Sequence, residues 1–281
     1  MQLINRRTLL AMGLGGLAAS ALAAYEREAS PDAQMVIKPP SSERDPAIQR
    51  GSFVSQARGG VSTNWAIARP DGHQGRLRPV IALHWRTGDA EKVMQLGMRR
   101  KLTAAVANGS PPFAVASVDG GDTYWHARMA GGDSGAMVLD EFLPLLEREG
   151  LDTSRVAFMG WSMGGYGALL LGAHLGWPRV AAISTTSAAF WTEDAFPELA
   201  FDGVEDFRSH SIWGLTALED IPLRIDCGTG DPMYDGARKY VSQLVTPPAG
   251  GFSAGAHDGE FASSQLPAEL DWIGPLLVSD P

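Results

Sequence analysis

Short apolar runs alternate with helical patterns along most of this chain, and that alternation restricts the fold more than any other feature. PVIALHW (79–85), FAVASVD (113–119), VAFMG (156–160), VAAIS (180–184) and LRIDCG (223–228) are apolar over strand length, so they read as strands buried on both faces. Between them, 89–108 carries a helical pattern. In 134–149, Val138, Phe142, Leu145 and Leu146 share one helical face opposite Asp140, Glu141, Glu147 and Arg148, with Gly150 as the stop. Strands that alternate with helices demand βαβ crossovers. The chain is therefore predicted to be an α/β protein with a mostly parallel central sheet and helices on both faces. Upstream, GSFVSQA and STNWAIA predict an opening antiparallel pair.

The N-terminus is of a different kind. A basic start (MQLINRR) leads into TLLAMGLGGLAASALAA, apolar but diluted by Gly and Ala, with Ala21-Leu22-Ala23 as a small-x-small cleavage pattern. Paired Arg6 and Arg7 resemble a twin-arginine export signal, although Asn5 stands where such signals usually carry Ser or Thr. Residues 1–23 are thus predicted to be an export leader, which places the mature protein in the periplasm, cell envelope or medium. The alternative, a retained anchor, has a run that is short for a span and broken by glycines. No other stretch approaches transmembrane length, so no membrane span is expected after cleavage. Residues 24–50 (SPDAQMVIKPPSSERDP at their centre) read as a linker or loosely docked arm, and 51–281 as one domain.

Composition removes several classes of function. A net charge of −9, or −11 without the leader's two arginines, argues against nucleic acid as a partner. The single cysteine, Cys227, excludes an intramolecular disulfide framework and a Cys-rich zinc site. No His/Asp/Glu cluster has compact ligand spacing such as H-E-x-x-H, so neither a metal nor a cofactor is expected. Composition leaves the oligomeric state open.

Three serine motifs compete for a catalytic role. Gly160-Trp161-Ser162-Met163-Gly164 matches G-x-S-x-G and sits between the strand-like 155–159 and a small-residue helix pattern, GGYGALLLG. A serine on such a strand-to-helix turn is lifted above the sheet with a helix N-terminus aimed at it. Gly251-Phe252-Ser253-Ala254-Gly255 matches the same pattern but follows Pro247-Pro248-Ala249-Gly250 and opens no helix at once. Gly132-Asp133-Ser134-Gly135 looks like the serine of trypsin-like proteases, whose fold is antiparallel, so Ser134 reads better as a helix N-cap. Ser162 is the predicted nucleophile.

Its base and orienting acid should follow in the order Ser, Asp/Glu, His. His174, His210 and His257 lie after Ser162. His174 falls about three turns along the elbow helix and His210 in a polar loop. His257, in GAHDG between the last expected strand and a helical tail, is the predicted base. Asp231, in DCGTGDP just past a strand end, is the predicted acid over Asp226, which lies within the strand. The bland alternative for Asp231 is a helix N-cap. Two backbone N–H groups should form an oxyanion hole: Met163, and Arg86 or Trp85 in the turn after the first long strand, with Arg86 favoured.

With these residues assigned, the chain resembles the α/β-hydrolase superfamily. It is most similar to the exported branch containing esterase D-type carboxylesterases and secreted mycolyltransferases, over roughly 79–277, through GWSMGGYGALLLG, DCGTGDP and GAHDG. That resemblance implies Ser162 as nucleophile, Asp231 as acid and His257 as base. One departure is His84-Trp85 where many relatives have His-Gly, which leaves open both the oxyanion donor and the shape of the pocket. Tyr124, Trp125 and His126 follow a strand end and either line the mouth of the site, beside Trp161, or belong to an ordinary loop with one anchoring aromatic. Residues 185–213 carry six aromatics among acidic residues, and form either a lid over an acyl pocket or a satellite cluster under a long loop. The leading expectation is a serine carboxylesterase acting on neutral, apolar small-molecule or lipid esters. Its rivals are an acyltransferase passing the acyl group to an alcohol, and a non-catalytic envelope binding protein.

Overall fold

The computed structural model describes residues 44–279. The expected export leader and most of the expected arm lie outside the described residues. In chain order, β1 (Gln49–Ser55) and β2 (Val61–Ala68) form an antiparallel pair. β3 (Pro79–Leu83), α1 (Ala90–Gln95), α2 (Met98–Ala107) and β4 (Ala114–Val118) follow. A small hairpin of β5 (Ala127–Arg128) and β6 (Gly132–Asp133) leads into α3, whose parts are Ser134–Ala136, a π-helical Met137–Phe142 and Leu143–Arg148. The second half runs β7 (Val156–Trp161), α4 (Met163–Leu175), β8 (Val180–Thr186), α5 (Val204–His210), β9 (Leu223–Gly228), α6 (Tyr234–Gln243), β10 (Ala249–Ser253) and α7 (Gly259–Val278).

Eight strands make one sheet in the order β1-β2-β4-β3-β7-β8-β9-β10. β1, β2 and β4 pair antiparallel, and every pair from β4 to β10 is parallel. Helices cover both faces, and β8 shows how. Ser184 and Thr186 point at Glu269 of α7, whereas Ile183, one residue out of phase, packs on Gly172 of α4. The site-bearing turns therefore leave one stiff edge, the carboxyl ends of the parallel strands.

The structure departs from several expectations. The pattern over 89–108 is two helices, because Gly97 takes a left-handed conformation (φ +81) between them, and Asp89 caps the first. Asp133, not Ser134, is the N-cap of α3, accepting from Ala136 N–H at 2.8 Å, while Ser134 bonds the Thr123 hydroxyl. Ser253 lies on β10, an edge strand too glycine-rich to show in the sequence. The arm is docked at its end. β1 begins at Gln49, Arg50 pairs with Glu91 at 2.7 Å and Asp45 with Arg99 at 2.5 Å.

One carboxyl is enclosed within this core. Glu269 is fully buried; its Oε1 accepts from the Ser184 and Thr186 hydroxyls at 2.9 and 3.0 Å, and its Oε2 has no protein partner. Burial, then the neighbouring Asp226, pushes its pKa up to about 7. An unfolded chain ionises this group near pH 4.5, but the folded chain holds the proton until about pH 7. Folding stability attributable to Glu269 is therefore complete below pH 4.5 and is lost as pH rises through that window, by on the order of 3 kcal/mol. Glu269→Gln removes the titration. The melting temperature of the variant minus that of the native chain is expected to increase by about 6–12 °C between pH 4.5 and 8; parallel melting curves across pH would refute the assignment.

Candidate active site

β7 ends at Trp161 and α4 begins at Met163, leaving Ser162 alone to make the turn with φ 53 and ψ −117. That conformation strains a non-glycine residue by about 1–3 kcal/mol and persists only where the surroundings enforce it. They do so here. Ser162 N–H donates to Thr186 C=O at 3.2 Å, and Ser162 C=O accepts from Tyr166 and Ala189 N–H, each at 3.1 Å. The turn closes because its flanks have no side chains. A Cβ on Gly160 would stand less than 3.0 Å from the Gly164 carbonyl, and one on Gly164 equally close to the Leu83 carbonyl. The two glycines permit strand, turn and helix to touch.

Beyond β9 the chain turns on Asp231, whose N–H donates to Gly228 C=O at 3.1 Å. The carboxylate performs two jobs. Oδ1 accepts from Met233 N–H at 2.7 Å, which holds the entry to α6, and both oxygens lie 2.9 Å from His257 Nδ1. Asp231 is not the N-cap of α6, a position that Met233 holds, but its carboxylate fixes the turn that leads into it. His257 Nδ1 carries the proton, because its partner is a carboxylate. Nε2 is left with a lone pair 3.0 Å from Ser162 Oγ, the tautomer a base needs. All three side chains are buried, with no residue of the three more than 5 % exposed.

The other candidates lie elsewhere. His174 is exposed near the far end of α4. His210 closes α5, a helix where a loop was expected, and its Nδ1 lies 2.8 Å from Asp206. Asp226 pairs with Arg224 at 2.7 Å and accepts from Gly251 N–H. Ser253 stands exposed on the sheet edge. Cys227 is buried beneath the strand end, and burial, with the nearby Asp231 charge, pushes its thiol up to about 12, so it is inert as a nucleophile.

Met163 opens α4, so its N–H has no intrahelical acceptor. The opposing turn is clamped by His84, to which the sequence assigned no role. His84 is fully buried; its Nε2 accepts from Gly120 N–H at 2.9 Å, so Nδ1 bears the proton and donates to Trp85 C=O at 2.7 Å. Burial drives the pKa of this ring down and keeps it neutral. Gly88 N–H donates to the same carbonyl at 2.8 Å. With the Trp85 carbonyl tied back by two donors, the planar trans peptide directs the Arg86 N–H the opposite way. Trp85, just before Arg86, and Trp161, just before Ser162, meet edge to face at 6.4 Å.

Tyr124 and Trp125 do not line an open mouth. Tyr124 is fully buried against Tyr166 and Phe201, and Trp125 (1 % exposed) fills the space left by Gly120 and Gly167 and stands edge-on to His84. They brace α4 and the His84 clamp from behind. His126 faces backbone carbonyls of Ala127 and Ala200. In 185–213, Phe196, Phe201 and Phe207 pack on one another and on Tyr166, a cluster that ties the segment to α4.

Comparison with solved structures places this architecture. The chain is similar to a ferulic acid esterase (TM-score 0.69, 18 % identity, 82 % of this chain and 98 % of that one). It is also similar to the fluorophosphonate-binding serine hydrolase F of Staphylococcus aureus (0.66, 18 %, 81 % and 98 %). A third likeness is to an S-formylglutathione hydrolase of Agrobacterium tumefaciens (0.68, 18 %, 85 % and 99 %). The fold is that of the α/β hydrolases. No family model and no curated relative matches the sequence.

The glycine requirement at the elbow is open to direct test. Gly160→Ala forces a Cβ into backbone that cannot retreat, and is expected to destabilise by about 3 kcal/mol or more. That corresponds to a fall of about 6–12 °C in melting temperature for a domain of this size. An unchanged melting temperature would show that the turn relaxes.

Proposed function

We propose that this chain is a serine hydrolase that cleaves carboxylic esters through an acyl-enzyme. One observation carries the reading: the continuous hydrogen-bonded line from Ser162 Oγ through the His257 ring to the Asp231 carboxylate. The fold it shares with structures described as a ferulic acid esterase, a serine hydrolase and an S-formylglutathione hydrolase supports it.

The chemistry follows from the geometry. His257 Nε2 takes the Ser162 proton as Oγ attacks the ester carbonyl, and Asp231 stabilises the imidazolium through Nδ1–H. The N–H groups of Met163 and Arg86 receive the oxyanion of the tetrahedral intermediate. His257 returns the proton to the departing alcohol oxygen, leaving Ser162 acylated. Water, activated by the same ring, then releases the acid. Trp161, the residue before the nucleophile, and Trp85 packed against it make the surroundings of Ser162 apolar, which favours apolar acyl groups, and the net negative charge of the chain favours neutral substrates over anions.

Acyl transfer to an alcohol is the second reading, and the enclosure of Ser162, 1 % exposed, favours it to the extent that water is kept from the acyl-enzyme. Ser162→Ala is expected to abolish turnover of a short p-nitrophenyl ester, by at least about 10³-fold, and to eliminate labelling by a fluorophosphonate probe. Wild-type turnover in the variant would overturn the assignment, and absent labelling of the native chain would favour a non-catalytic binding protein. Free acid as the product with and without glycerol assigns hydrolysis. A glyceryl ester assigns transfer.

Export completes the proposal, resting on Arg6-Arg7, the diluted apolar run and Ala21-Leu22-Ala23. Replacing both Arg6 and Arg7 by Lys is expected to retain the protein in the cytoplasm of its host, as read by cell fractionation; unaltered export would remove the twin-arginine route.

A further inference from the structure

A second group of chemically competent side chains lies outside the triad. His126 follows β4 in the loop that carries Trp125, and Asp206 and His210 share one face of α5. Asp206 and His210 stand at i and i+4 on that helix, but His126 is about 80 residues upstream, so the three do not form one contiguous ligand motif. In the fold their donor atoms all lie within 4.8 Å of one another. Asp206 Oδ1 is 2.8 Å from His210 Nδ1 and 3.9 Å from His126 Nδ1.

What distinguishes the group is that its two rings face more acceptors than they have protons: His210 Nδ1 has the Asp206 carbonyl at 3.0 Å as well as Asp206 Oδ1. His126 Nε2 faces the Ala200 carbonyl at 3.0 Å and Nδ1 faces the Ala127 carbonyl at 2.9 Å. A neutral imidazole has one N–H, so it can satisfy only one of the two. With the proton on Nε2, donating to Ala200, the Nδ1 lone pair points into a space shared with Ala127 O, Asp206 Oδ1 and His210 Nδ1. A ring whose outer nitrogen donates to a backbone carbonyl while the inner one is free is how proteins orient a histidine for a metal. Asp206 is oriented as well: its Oδ2 accepts from Asp202 N–H at 2.7 Å, which leaves Oδ1 for the shared space. The nearby Arg128 is neutralised by Asp202 at 3.0 Å.

We propose that His126 Nδ1, His210 Nδ1 and Asp206 Oδ1 bind one divalent transition-metal ion of the zinc type. Metal–ligand distances of about 2.0–2.1 Å in a tetrahedral site separate neighbouring ligand atoms by about 3.3 Å, and the observed 2.8 and 3.9 Å lie to either side of that value. Two imidazoles and a carboxylate form a donor set suited to zinc. The fourth position falls to the Ala127 carbonyl or to water. An ion has a way in, since His126 and His210 both line a cavity of about 390 Å³ between α3, α4 and α5. One adjustment is required. The two rings are stacked, 4.3 Å apart and 24° from parallel, so one must turn to bring both lone pairs onto a single ion. His210 is the ring able to do so, because it is the last residue of α5, partly exposed and open to the cavity. The bound ion would tie α5 to the loop whose Trp125 braces α4, and so would act as a clip on the scaffold, separate from the proposed chemistry at Ser162.

The test uses the full chain, stripped with chelator and titrated with zinc chloride at pH 7.5. We expect one equivalent to bind by calorimetry and the melting temperature to rise by at least about 3 °C at saturation. His210→Ala is expected to weaken binding about 100-fold and to cancel the melting shift, whereas His174→Ala, altering an exposed histidine of the same cavity, leaves both intact. Cobalt(II) should give the intense visible absorption of a tetrahedral site in the native chain and not in His210→Ala. No saturable binding, an undiminished shift in His210→Ala (binding at His257 and Asp231, for example), or an equal loss in His174→Ala would each overturn the proposal.

Discussion

Ser162 occupies a backbone conformation that side-chain-bearing residues avoid, and much of the molecule serves to keep it there. Its N–H is bonded to β8, its carbonyl to α4 and to Ala189, and its neighbours Gly160 and Gly164 are pressed against backbone on two sides. The strain of about 1–3 kcal/mol is small against the packing that resists it. Because parallel strands carry both the elbow (β7) and the acid turn (β9), Asp231 and His257 meet the serine hydroxyl at hydrogen-bond distance with no adjustment. A sheet buried on both faces is stiff, and stiffness is what a triad of short bonds requires.

Two histidines show how one tautomer can serve opposite ends. His84 and His257 both carry the proton on Nδ1. In His84 the remaining nitrogen accepts from a backbone N–H, so the ring is saturated, neutral and inert, a spacer between Gly120 and the Trp85 carbonyl. In His257 the remaining nitrogen faces a hydroxyl, and the partner at Nδ1 is a carboxylate able to stabilise a positive ring. The difference in role lies entirely in the partners. The first ring shapes the turn that carries Arg86; the second lies at hydrogen-bond distance from Ser162.

Much of this was legible in the sequence because strands buried on both faces must be apolar throughout, and because the elbow tolerates only glycine at two positions. The five buried runs, the antiparallel start and the serine turn were readable for those reasons. β10 was not: Ala249–Ser253 has two glycines and no β-branched residue, and it is a strand only because β9 offers an edge. For Tyr124 and Trp125, which follow a strand, the sequence left open a place at the mouth of the site or an ordinary loop with one anchoring aromatic. Their burial comes from Gly120 and Gly167, whose missing side chains admit the indole, and no local pattern reveals that. Likewise α1 and α2 appeared as one helix because a single glycine within a helical pattern does not declare its φ.

Sequence by itself determined the layered fold and marked the residues of the candidate site: an elbow needs its glycines, a candidate acid a strand end, and a candidate base a loop after both. Those are local requirements, written in adjacent residues. Tertiary structure decided which remote groups face each other. It gave Asp231 its second bond and tied the Trp85 carbonyl back through His84. It also enclosed Glu269 beneath β8 and gathered His126, Asp206 and His210 around one space. Each depends on distances across the sheet or between loops, and such distances exist only once the chain has folded.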